Sequence, residues 1–124
     1  MQRFVVKLIL LFTWFSSPFL YANNQSNNIM GPLWLSTLSE FQNFKNDLNI
    51  AKKIGINAVT IDVWWGAVEK NANQSFDWSY YENVFNLIES KDLKIIPIMS
   101  FHQCGGNVGD DCNIKLPNWI WSHF

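Results

Sequence analysis

Ile56-Asn57-Ala58-Val59-Thr60-Ile61-Asp62-Val63 is short, apolar and rich in β-branched residues, with Gly55 before it and Trp64-Trp65-Gly66 after it. A run of this kind reads as a buried strand. On its N-terminal side, Phe41, Phe44, Leu48 and Ala51 recur at intervals of three and four, which predicts a helix with one apolar face. Ser39 is the expected N-cap, Glu40 is favourably placed near the helix start, and Gly55 suits the C-terminus. Earlier still, Ile29 to Leu38 is mainly apolar and predicts a first strand, made irregular by Gly31 and Pro32. On the other side, Gly66 to Ser75 reads as a polar connection. Asp77 is the expected cap of a second helix whose apolar face includes Tyr81, Phe85 and Ile88. Asp92 ends that pattern, and Leu93 to Phe101 predicts a third strand in which Pro97 is unusual.

Strand, helix, strand, helix, strand is the order of a parallel α/β sheet with right-handed crossovers. An open doubly wound sheet and a (β/α)8 barrel both fit that order. No glycine-rich phosphate turn follows the first strand, which weakens the nucleotide-binding version. In a barrel, side chains at the C-terminal ends of strands face the active site, and Asp62 and His102 stand at two such ends. The expectation is therefore a TIM barrel, with about three of its eight βα units present.

The N-terminus has a different character. Arg3 and Lys7 precede a largely apolar run from Leu8 to Leu20, and Leu20-Tyr21-Ala22 ends on a small residue. That reads as a signal peptide over residues 1–22, with an uncleaved anchor as the alternative; the run is short against the ~20 residues a spanning helix needs. Residues 23–28 form a polar linker, and residues 29–124 are expected to be the N-terminal part of the barrel domain. A secreted product, extracellular or periplasmic, follows, with no membrane association after cleavage. Losing Arg3 and Lys7 and no acidic residue moves the formal charge from -1 to -3. A mildly acidic chain offers no basic face to nucleic acid or anionic lipid. Seven tryptophans and ten phenylalanines suit a protein that lays flat rings against sugars, although most such rings belong to a core.

The richest stretch chemically is His102-Gln103-Cys104-Gly105-Gly106-Asn107-Val108-Gly109-Asp110-Asp111-Cys112. Two cysteines at short spacing in an exported chain are read first as a disulfide, worth roughly 2–3 kcal/mol through loop entropy. A metal site is the other reading, but His102 and two cysteines lack the paired spacing of zinc motifs. Gly105, Gly106 and Gly109 give such a loop freedom to hinge, and with Asp110 it has the makings of a lid. A tight surface loop with Asn107 and Asp111 as turn formers is the plainer reading. Asp62 can accept hydrogen bonds from ligand hydroxyls beside an indole, or can serve as a structural strand-end carboxylate. His102 has the same two options. Trp64 and Trp65 point to opposite sides if extended, so at most one faces a ligand. Trp119 and Trp121, after Pro117, read as packing residues.

Ile61-Asp62-Val63-Trp64-Trp65-Gly66, Phe76-Asp77-Trp78-Ser79-Tyr80 and Met99 to Asp110 together resemble the β-amylase family of glycoside hydrolases (family 14), its secreted bacterial members in particular. The likeness runs from about Gly31 to Trp121. It implies a (β/α)8 barrel that hydrolyses α-1,4-glucans such as starch and maltodextrin from their non-reducing ends. β-Maltose is released with inversion. It implies that Asp62 and His102 bind terminal glucose units, and that Asp110 rides on a lid over Gly105, Gly106, Asn107, Val108 and Gly109. It further implies a Cys104–Cys112 disulfide and one calcium ion with Glu69 among its ligands, although Asn73 stands where an aspartate ligand is expected. Inversion uses two glutamates flanking the bond. Glu40, Glu69, Glu82 and Glu89 match neither, so no catalytic residue is assigned here and both are expected beyond Phe124. The 124 residues alone are expected to be inactive. The competing readings are a non-catalytic secreted α-glucan-binding relative and another barrel glycosidase.

Overall fold

The computed structural model of the chain describes residues 27–122; the leader segment read from the sequence lies outside them. Three parallel strands form one sheet in sequence order: β1 (Asn28–Met30), β2 (Ala58–Trp64) and β3 (Lys94–Ser100). Helix α1 (Leu38–Lys53) connects the first two strands. A short helix α2 (Trp65–Val68) and then α3 (Ser79–Glu89) connect β2 to β3. A single 3₁₀ helix follows at Asn118–Ser122.

The first strand is much shorter than expected. Only Asn28, Ile29 and Met30 pair, with Ala58, Val59 and Thr60, and the apolar residues after Gly31 serve instead as a connection. Gly31 still donates to the Thr60 carbonyl at 2.8 Å, but Pro32 has no N–H with which to extend a ladder. Asn28, read as linker, belongs to the strand.

The cap of α1 is Thr37, two residues before the expected Ser39. Its hydroxyl accepts from the Glu40 N–H, while the Glu40 carboxylate accepts from the Ser36 and Thr37 N–H groups at 2.6 and 2.9 Å. This reciprocal arrangement satisfies donors that the first turn leaves without helical partners. Asp77 also sits one residue early, since Trp78 is the N-cap of α3; its Oδ1 accepts from the Ser79 N–H at 3.0 Å.

The periodicity was legible where burial is strong. Phe44, Leu48 and Ala51 of α1 are buried, as are Tyr81, Val84 and Ile88 of α3. All but Ala51 meet Val59, Ile61 and Val63, which lie on one face of β2, together with Leu35, Val68 and Leu93. Side chains alternate along a strand, so Thr60, Asp62 and Trp64 lie on the opposite face. The register places Ile96, Ile98 and Ser100 beside them. Pairing continues through Pro97, opposite Ile61; an outer strand is laddered on one side only and tolerates the missing donor.

Two tyrosines at the start of α3 tie down the end of β2 and the connection that leads into α1. The Tyr81 oxygen, fully buried, accepts from the Trp64 N–H at 2.8 Å. Tyr80 accepts from the Leu35 N–H at 2.8 Å and stacks on Trp34 with ring centroids 3.6 Å apart. Burial raises both phenols above their ordinary value, so each remains a neutral hydroxyl.

Candidate active site at the strand ends

The C-terminal ends of β2 and β3 bring together Asp62, Trp64, Ser100 and His102. Asp62 is half-buried, and its Oδ1 accepts from the Ser100 hydroxyl at 2.8 Å. Register explains the contact: Trp64 is opposite Ser100 and Asp62 is opposite Ile98, so Asp62 and Ser100 share a face. The hydroxyl fixes one carboxylate oxygen, and a carboxylate can accept further donors. Sequence reasoning missed Ser100, although a serine ending an apolar strand one position before Phe101-His102 is a visible signal.

His102 is exposed and sets its ring edge-on to Trp64, with centroids 5.2 Å apart. Trp64 itself is buried. Its indole N–H donates to the Leu33 carbonyl at 2.9 Å, and its ring packs against Cys104 and Cys112. Of the two adjacent tryptophans, Trp64 is therefore the support beneath the histidine. Trp65 turns away into α2, where its ring meets Phe101 and Trp119 edge-on.

The cysteines form a disulfide with their Cα atoms 5.7 Å apart, inside the ordinary span for such a bridge. Cys104 and Ile114 also exchange backbone hydrogen bonds of 2.9 and 3.1 Å, so the loop is closed twice at its neck. Gly105 and Gly109 hold φ values of +98° and +97°, a region other residues avoid, as the glycine content of the loop suggested. Val108 stands fully exposed at the tip. Asp110 organises the interior. Its Oδ2 accepts from the Gly105 and Asn107 N–H groups, both at 3.0 Å, and from the Asn107 side-chain amide at 3.3 Å. Hydrogen bonds from Asn107 first, then Gly105, hold this carboxyl below its ordinary range. In this arrangement Asp110 is engaged within its own loop.

Glu69 caps the C-terminal end of α2. It is buried, with Oε2 accepting from the Trp65 indole at 2.6 Å and Oε1 from the Gln74 N–H at 2.6 Å. Its main-chain oxygen accepts from the Trp119 indole at 2.7 Å. Asn73 has its amide oxygen 3.4 Å from the Gln74 side-chain nitrogen. Calcium takes six to eight oxygens, and among the described residues no three carboxylate, histidine or cysteine side chains gather. By themselves the described residues supply too few such ligands to hold a calcium ion. Trp119 acts as the packing residue it was read to be, whereas Trp121 is exposed.

The sequence and the fold both have known relatives. The model of glycosyl hydrolase family 14 matches residues 28–124. A β-amylase of Niallia circulans is 50% identical over 95 residues, which is 77% of this chain and 16% of that protein. A β-amylase of Bacillus cereus is 46% identical over 95 residues, 76% of this chain and 17% of that protein. Among solved structures, the catalytic domain of β-amylase from Paenibacillus polymyxa superposes with a TM-score of 0.68 at 47% identity, covering 78% of this chain and 23% of that one. The chain thus spans about a sixth of the curated relatives named here. Its three parallel strands and the helices between them are part of a TIM barrel. On the family match and these identities, the chain belongs to glycosyl hydrolase family 14.

Proposed function

We propose that the protein of which these residues form a part hydrolyses α-1,4-glucosidic bonds of starch-type glucans from the non-reducing end and releases β-maltose. The observation that carries this reading is the pairing of Asp62 and His102 at adjacent strand ends, one fixed by Ser100 and the other backed by Trp64. A carboxylate and an imidazole held at the open end of a parallel sheet can accept from and donate to vicinal hydroxyls of a terminal glucose. The cysteine-tied loop from Gly105 to Gly109 then covers the sugar, with Asp110 released from its internal bonds to reach it. Ordering a lid in this way excludes water from the reacting bond.

The described glutamates do not supply acid or base. Glu40 closes the cap of α1, Glu69 is engaged by N–H donors, and Glu82 and Glu89 lie on α3. The general acid and the water-activating base of an inverting mechanism therefore belong to other strands of the barrel, about 6.5–9.5 Å apart. An exported protein accords with the basic, then apolar, start of the chain.

The test uses the intact protein and maltoheptaose. Maltose appearing first, as the β anomer by NMR, is the expected result. Glucose as first product would point to another exo-glycosidase. Tight glucan binding with no product would make the protein a binder.

A further inference from the structure

We infer that Glu69 is an anionic fastener of the protein itself and not a cation ligand. Three segments converge on this one residue: the start of α2 through Trp65, the turn at Gln74, and the 3₁₀ helix through Trp119. Both carboxylate oxygens receive N–H donors at 2.6 Å, short even for bonds to a charged acceptor. Beside it, Asn73 is a neutral amide whose oxygen lies 3.4 Å from the Gln74 side-chain nitrogen, and among the described residues Glu69 belongs to no cluster of three acidic, histidine or cysteine side chains. Gln74 holds φ at +63°, so the turn is bent into a conformation that aims its own N–H at Glu69. Two observations show that the arrangement is built and not incidental. The residue is only 5% exposed, and among the described residues no buried side-chain nitrogen or oxygen lacks a partner. Burying a carboxylate is costly unless hydrogen bonds replace its water, and here two N–H groups do so.

The consequence reaches the strand ends. Trp65 meets Phe101 at 5.7 Å and Trp119 at 5.9 Å between ring centroids, and Phe101 immediately precedes His102. By fixing the Trp65 indole, Glu69 fixes the aromatic cluster beside the end of β3. This role is independent of which sugar the protein takes.

Thermal unfolding of the intact protein tests the assignment in excess calcium and after chelation with EDTA, for wild type, Glu69→Gln, Trp65→Phe and the double variant. Each single substitution is expected to lower the midpoint by roughly 2–6 °C. The double variant should fall less than the sum, because one bond is shared. Any effect of chelation should be the same in wild type and Glu69→Gln. A calcium-dependent rise in wild type that Glu69→Gln abolishes would overturn the inference, as would strict additivity of the two substitutions. A second measurement needs only folded wild type. The Trp65 indole N–H resonance, assigned with Trp65→Phe, should be identical in calcium and in EDTA, and its displacement by calcium would also count against the inference.

Discussion

Asp110 shows how one carboxylate can hold a loop closed on itself. Its acceptor bonds to Asn107 and Gly105 favour the charged form, so the folded pKa lies below the ordinary 3.8. For a depressed acid, the stabilisation is fully present above the ordinary value and is lost as pH falls through the lower folded one. Protection of the Asn107 and Gly105 amides from hydrogen exchange, corrected for the intrinsic rate, is therefore expected to stay level from neutral pH down to about pH 5. It should vanish only below the usual aspartate range. Asp110→Asn should lose that acid transition, and amide protection that still titrated in this variant would assign the effect to another group. That Asp110 lies in a glycine-rich loop closed by two cysteines was legible in the sequence. Its engagement with its own backbone was not, because the partners are main-chain groups that every sequence carries. Ser100 escaped notice for a similar reason, since its contact with Asp62 depends on register, and Glu69, singled out as a cation ligand, was not legible as an acceptor of N–H groups brought from elsewhere in the chain.

At the scale of elements, the legible parts are those written in side-chain period. Helices α1 and α3 and strands β2 and β3 fall within a few residues of the expected ranges, because burial on one face repeats every three or four residues and branched runs mark strands. Their ends were less legible. Thr37 outcompetes Ser39 as the cap because Glu40 then stands at the third helical position and closes the reciprocal pair. The connection after β2 was read as loop, yet residues 65–68 make one helical turn. Gly66 within it touches a distant segment that no local pattern announces. A Cβ built there would lie 1.8 Å from the Lys115 carbonyl oxygen and 3.4 Å from Ile114. That overlap is with backbone, in a segment tied down by the Cys104–Ile114 bridge and the Trp119–Glu69 bond, so little can yield. Gly66→Ala should cost at least roughly 1–3 kcal/mol, the range for forcing extra atoms into a packed interior. Urea unfolding of the intact protein measures it, and an unchanged midpoint would mean that residues 113–117 shift freely away from α2.

For the molecule as a whole, the two faces of the sheet differ in cover. The face bearing Val59, Ile61 and Val63 is buried under α1 and α3, with the tightest packing at Leu48, Tyr81 and Ile88. The opposite face carries Thr60, Asp62, Ile96 and Ile98, and there Ile96 and Ile98 are 36% and 44% exposed. Met99 and Phe101 add further apolar surface along β3, the outer strand. In a closed barrel, that inner face is filled by side chains from other strands and the outer strand gains a neighbour. Residues 27–122 expressed alone would keep the helix-covered half of the core but present an unpaired strand edge beside exposed isoleucines. Such an edge recruits further copies. Sedimentation velocity should therefore find concentration-dependent association of that segment, with a dye that lights up on apolar surfaces bound strongly, whereas the intact protein should show neither. A monomeric segment with a single cooperative unfolding transition would mean that three strands and the helices packed on them bury enough area to stand without the barrel, and that the exposed face of β3 contributes little to its closure.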